Sequence, residues 1–155
     1  MQKFAIDTSV WIESIAENSE YFEIASRFID GIDKGKITAI VTPITVAETY
    51  YISYKLYKEV GLDENEAIFR AKLLFNTFFS HRNIKVIAIS KDLSLVAGEI
   101  KRKYHISLSD SFLLAAARHE NGVAVFRKIE KEMEPYIADL RENFEIVFLS
   151  EIRIK

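Results

Sequence analysis

An α/β fold with a mostly parallel central sheet is what this sequence predicts. Three observations point there. Short apolar, β-branched runs recur five times along the 155 residues, and longer segments of helical period separate them. The run Ile84-Lys-Val-Ile-Ala-Ile89 is almost continuously apolar, as a parallel strand covered on both faces must be.

Taken in order, strands are expected at residues 3–6, 37–41, 84–89, 122–126 and 145–149. Helices are expected near 10–16, 19–34, 46–60, 64–80, 93–104, 109–121 and 129–143. Helix starts are marked by residues that satisfy the first free backbone N–H groups. Thr45-x-x-Glu48, Asp63-x-x-Glu66 and Ser107-x-x-Asp110 all have the form of a capping box or a close relative. The two helices between the second and third strands, joined at Gly61, exceed what one crossover needs and form a candidate interaction surface. There is no internal repeat, low-complexity tract or Gly/Pro/Ser-rich linker, so residues 1–155 are read as one domain.

Composition removes several classes of function. With no Cys there is no disulfide framework, thiolate zinc site or cysteine nucleophile. No apolar run approaches the ~18 residues of a membrane helix. Lys3 is followed by only Phe4-Ala5-Ile6 before Asp7, which is not a signal-peptide core; a cytoplasmic protein is expected. Twenty-one basic and 23 acidic residues leave a net charge of −2, so an anionic ligand must be held by a local patch or by metal ions.

Motifs remove more. G-x-G-x-x-G, the Walker P-loop, G-x-S-x-G and H-E-x-x-H are all absent. The three histidines, His81, His105 and His119, lack metal-ligand spacing and read as surface or helix-end residues. What remains is carboxylates.

Asp7 directly follows the first strand, Glu48 lies in the first turn of the helix after the second, and Asp110 opens the helix at Ser111-Phe-Leu-Leu-Ala-Ala-Ala. Glu130 and Glu132 follow the fourth strand. Each has a plain structural reading: Asp7 and Asp110 as helix caps or dipole partners, Glu48 as the partner of Thr45, Glu130 and Glu132 as a solvated first helical turn. Together they predict one geometry. Ligands of open parallel sheets bind beyond the carboxyl ends of the strands, and acids placed there share one crevice. Crowded carboxylates repel unless cations sit among them, and an all-oxygen donor set suits Mg²⁺ or Mn²⁺. Such a site activates water and clamps a phosphodiester.

These residues carry a resemblance. Phe4-Ala-Ile-Asp7-Thr8-Ser9, Thr42-Pro-Ile-Thr-Val-Ala-Glu48-Thr and Ile106-Ser-Leu-Ser-Asp110-Ser-Phe-Leu-Leu-Ala-Ala-Ala resemble, in order and spacing, the acidic motifs of the PIN-domain family. The chain has the size of a single-domain VapC-like toxin. The resemblance implies a three-layer α/β/α fold with about five strands and a divalent-metal-dependent endoribonuclease. It also implies an RNA substrate, a VapB-like antitoxin and a homodimer. Asp7 and Asp110 would be the principal metal ligands, Glu48 would bind metal or orient water, and Thr8 or Ser109 would supply a hydroxyl. Many members place Thr or Ser and then Asp after the fourth strand. This chain reads Val125-Phe-Arg-Lys-Ile-Glu130-Lys-Glu132, which makes Glu130 the fourth acid and Glu132 its reserve.

Lys101-Arg-Lys103 reads either as complement to a helix dipole or, with Arg127, Lys128 and Lys131, as phosphate-positioning charge. Tyr50, Tyr54 and Tyr57 form a stripe at helical spacing, and Phe75, Phe78 and Phe79 crowd the next helix; core or partner packing outweighs base stacking here. Two alternatives compete with the nuclease. One is a degenerate PIN domain acting as a binding or assembly module. The other is a phosphoacceptor domain of receiver or phosphatase type, which the lone Asp7 fits poorly because receivers want paired acids after the first strand.

Overall fold

The computed structural model describes residues 1–153. Its sheet has five strands, β1 (Gln2–Ile6), β2 (Ile37–Val41), β3 (Ile84–Val86), β4 (Val123–Phe126) and β5 (Ile146–Phe148), in the order β3-β2-β1-β4-β5. All four pairings are parallel. The chain steps outward from β1 through β2 to β3, then returns to place β4 on the other side of β1. The connections at the carboxyl ends of β1 and β4 therefore diverge, and a crevice opens between them.

Alternation along each strand divides the interior. Ala5, Ile40, Ala124, Phe126 and Phe148 face one way, into a core with α5 (Lys91–Tyr104), α6 (Leu108–His119) and α7 (Ile137–Asn143). Phe4, Ile6, Ala39, Val41, Val123 and Val125 face the other way. There they meet α1 (Thr8–Glu13), α2 (Phe22–Asp33) and residues of α3 (Pro43–Glu59) and α4 (Glu64–Ser80). The result is the three-layer α/β/α arrangement with a parallel sheet. Residues 111–117 of α6 are all buried, as expected of a helix apolar on every side. Across from them Ala5 and Ala124 are small enough to let that helix lie close to the sheet. In the other layer, Phe78 of α4 meets Trp11 of α1 edge to face at 4.9 Å, a pairing worth roughly 0.5–1.5 kcal/mol beyond burial. Gly122, just before β4, is required by close approach: a Cβ there would lie 2.9 Å from the Lys3 carbonyl oxygen.

Several boundaries differ from the sequence expectation, each for a local reason. The apolar run after residue 84 is strand only to Val86, because it lies at the sheet edge and pairs only with β2; one further bond, Ile87 N–H to the Val41 carbonyl (3.0 Å), continues past it. Residues 129–143 are not one helix. Pro135 removes a backbone donor, and the segment becomes a loop, a 3-10 turn at Glu134–Tyr136 and α7. Glu130 and Glu132 are thus loop residues rather than a first helical turn. The cap of α3 is Thr42, whose hydroxyl accepts from Thr45 N–H at 3.2 Å with Pro43 opening the helix, so the Thr45–Glu48 capping box does not form. Asp63 and Ser107 do cap α4 and α6.

Candidate active site

Asp7, the first residue after β1, also caps α1: its Oδ2 accepts from Ser9 N–H at 2.9 Å and from Ser9 Oγ at 2.5 Å. The cap reading of Asp7 thus holds, and the cap fixes the carboxylate at the carboxyl end of the central strand. Its own N–H donates to the Val125 carbonyl of β4 (2.9 Å), which sets it beside the end of that strand. Glu48 approaches from α3 and accepts a hydrogen bond from Ser109 Oγ at the start of α6. One residue on, Asp110 N–H donates to the capping Ser107 Oγ at 3.0 Å.

These acids line one cleft of about 530 Å³, together with Thr8, Ser9, Ile12, Glu13, Ile52, Ser107, Ser109, Phe126, Arg127, Glu130, Lys131 and Glu132. All four acids singled out from sequence, Asp7, Glu48, Asp110 and Glu130, and the reserve Glu132, share it. Chain segments more than a hundred residues apart meet there because the parallel sheet brings its carboxyl ends to one side.

Around Asp110 the electrostatics are those of crowded carboxylates. Burial pushes the Asp110 carboxyl up to about 7, and the charges of Asp7, Glu130 and Glu48 add to the shift against the lowering effect of Ser107. Burial likewise raises Asp7, with the charge of Glu48 adding and the two Ser9 hydrogen bonds opposing. Among the described residues no three His, Asp or Glu side chains already close on one point as a finished metal shell. The donor set is nonetheless one a hard cation accepts. Mg²⁺ is commonly bound through one or two carboxylates, with water and substrate phosphate filling its remaining positions. Of the neighbouring charges, that of Asp7 acts most strongly on Asp110. Thr8 Oγ1 is buried in the same wall without a hydrogen-bond partner among the described residues.

The sequence reading passed over one cleft residue, Glu13, and the partner it gives to Arg127. Glu13, one and a half turns after Asp7, and Arg127, directly after β4 and read from the sequence as phosphate-positioning charge, pair across the cleft wall at 3.0 Å. Nothing in local pattern joins residues 13 and 127; only the adjacency of β1 and β4 does. By contrast, Lys101, Arg102 and Lys103 are engaged elsewhere, with the Ile106 carbonyl, Glu99 and Asp139 respectively. The histidines are helix ends: His81 and His105 cap α4 and α5, and His119 closes α6.

The family model described as the PIN domain matches residues 4–128, most of the chain and every segment from β1 to β4. The chain belongs to the PIN-domain family. No curated protein gives a significant sequence match. Solved structures share the PIN fold over nearly the full length. A toxin–antitoxin complex from Klebsiella pneumoniae superposes with a TM-score of 0.61 at 17% identity, covering 98% of this chain and all of that one. VapBC2 from Rickettsia felis, solved with a DNA fragment from its promoter, gives 0.63 at 16% identity, covering 95% and 98%. VapC20 from Mycobacterium tuberculosis, a toxin that cleaves the sarcin–ricin loop, gives 0.61 at 17% identity, covering 86% and 94%. At these identities the likeness is one of fold.

Proposed function

We propose that this PIN domain is a divalent-metal-dependent endoribonuclease acting in the cytoplasm as the toxin of a VapBC-type pair. The observation that carries the reading is the convergence of Asp7, Glu48 and Asp110, from three separate segments, in one cleft whose crowding raises Asp110 to about 7. Such acids are destabilising to the fold unless a cation enters among them, which is a reason to keep them for chemistry.

In this proposal Asp7 and Asp110 hold Mg²⁺ or Mn²⁺, with Glu48 as third ligand or water-orienting group. A cation bound there supplies Lewis-acid activation of water and charge neutralisation at the scissile phosphate. Ser9 fixes the Asp7 carboxylate, Ser109 fixes that of Glu48, and both thereby hold their acceptor oxygens in place before substrate arrives. Glu130 acts on Asp110 through its charge and is the fourth acid of the proposal. The neighbours in the Klebsiella and Rickettsia assemblies are paired with antitoxins, which supports a VapB-like partner for this chain. A homodimer through α3 and α4 is the companion proposal. There Tyr51, Phe69, Leu73 and Phe79 are exposed while Phe75 packs on Tyr50 and Phe79.

The test is cleavage of a labelled single-stranded RNA with Mg²⁺, Mn²⁺ or EDTA, using the purified chain and its Asp7→Asn and Asp110→Asn variants. Cutting that needs the metal and both acids is the expected result; full activity in both variants overturns it. A non-catalytic binding module is the second reading, favoured by the unfinished metal shell and the guanidinium of Arg127 beside the acids. Calorimetry that detects no Mg²⁺ or Mn²⁺ binding would select it.

A further inference from the structure

The cleft has two electrostatic sides. The carboxylates gather around Asp110, whereas the wall formed by α1 and the residue after β4 carries a fixed cation. Arg127 donates its backbone N–H to Ser9 Oγ at 3.3 Å, and that hydroxyl donates in turn to Asp7. Its Nη1 donates to Glu13 Oε1 at 3.0 Å, and Glu13, with only 8% of its side chain exposed, also accepts from Ser19 Oγ. Glu13 thus holds one guanidinium nitrogen and the backbone bond anchors the residue, while 35% of the side chain stays exposed where Arg127 lines the cleft. A guanidinium is a planar fork suited to binding the oxygens of a phosphate in parallel.

The geometry points to Arg127 as the substrate-binding cation of the cleft, clamped by Glu13 so that its open edge receives a backbone phosphate of single-stranded RNA next to the scissile bond. This rests on the nuclease reading and deepens it, because it names the group that grips the substrate. Lys131, exposed on the same rim, adds charge without such a clamp.

A bland reading exists: Arg127 merely neutralises the buried Glu13, as structural ion pairs do. The two readings separate in a double variant. Glu13→Gln with Arg127→Gln leaves no buried charge unpaired, so a merely structural pair can be lost with folding kept and substrate binding unaltered. The experiment measures binding of a fluorescently labelled single-stranded RNA in Mg²⁺ over a range of salt, all in an Asp110→Asn background that prevents cleavage. The double variant is expected to bind about tenfold more weakly, with the slope of log affinity against log salt shallower by about 0.7, as for one lost phosphate contact. Arg127→Lys keeps the charge facing Glu13 but cannot serve both partners, and about a fivefold or greater loss is expected. It also carries the test if the double variant does not fold. Affinity and slope equal to the parent in the folded variants overturn the role of Arg127. Metal-dependent cleavage by the chain with Asp110 intact is scored separately. If cleavage is present while these variants bind normally, only the role of Arg127 falls; a parent that binds no RNA overturns that role as well, and cleavage still decides the nuclease reading.

Discussion

Ser109 donates its hydroxyl to Glu48, linking the first turn of α6 to α3 across 61 residues of sequence. The bond orients one acid from the residue next to another, Asp110. Removing it leaves both acids present but lets Glu48 turn away from the cleft. Ser109→Ala is therefore expected to lower the cleavage rate roughly tenfold, the usual size of an effect from a residue that orients a metal ligand. The thermal midpoint should hardly move, because the bond is only part-buried. Parallel measurement of cleavage rate and melting checks this; a rate equal to the parent's would show that Glu48 needs no orienting.

Asp110 should report the cost of the site to the fold. Its carboxyl is raised by burial and by three neighbouring acids, so replacing it with an uncharged isostere relieves repulsion. At pH 8 without divalent ions, Asp110→Asn is expected to melt higher than the parent, by roughly 2–4 °C for each kcal/mol relieved in a chain of this size. Cleavage should fall by roughly two or more orders of magnitude. A variant that melts lower at pH 8 would remove charge crowding as the description of the cleft.

The same shift fixes a pH dependence. Burial and the neighbouring acids push the Asp110 carboxyl in the folded state from the ordinary carboxyl range up to about 7, so the folded protein holds a proton that the unfolded chain has already lost over that range. Stability without metal should accordingly fall as pH rises from about 4 through 7, the sign opposite to that of a salt-bridged carboxylate. Asp7 shifts in the same direction and adds to the trend. A divalent cation competes with that proton. Its affinity should rise between pH 6 and 8, by up to about tenfold per unit below 7, with proton release on binding. Calorimetric titration of Mn²⁺ in buffers of different ionisation enthalpy measures both. An affinity flat from pH 6 to 8 would sever the link between the acids and the metal.

How much of this was legible in the sequence depends on how local each cause is. Asp7 could be placed at the end of β1 because a strand, an acid and a helix start follow one another within ten residues. Asp63 and Ser107 could be read as caps for the same reason. The true cap of α3 was hidden by a repetition of threonines: Thr42 and Thr45 both offer a hydroxyl, and Pro43 at the first helical position decides for Thr42. The helix expected over 129–143 is broken at Pro135, whose missing backbone donor overrides the apolar periodicity of the segment. The pair Glu13–Arg127 was not legible at all, since its partners meet only once β1 and β4 are neighbours. Convergence of the acids lay between these cases, inferable from the parallel sheet but measurable only in the folded chain.

His105 holds the loop that delivers Ser107, Ser109 and Asp110, and its own conformation makes a last prediction. It caps α5 in the left-handed region, at φ 53°, where a side chain is strained, and its N–H closes on the Lys101 carbonyl at 2.8 Å. Lys101 Nζ donates back to the Ile106 carbonyl at 2.8 Å, so the turn is pinned on both sides. Glycine adopts this conformation without strain. His105→Gly is expected to match or exceed the parent's stability, by up to about 1 kcal/mol, whereas a β-branched residue there is expected to lose about 1–2 kcal/mol. Urea unfolding of His105→Gly and His105→Val measures the difference. Because His105 is exposed and outside the cleft, His105→Gly should keep full cleavage as well. Loss of cleavage without loss of stability would instead assign this histidine a part in the reaction that neither its place in the fold nor its spacing provides.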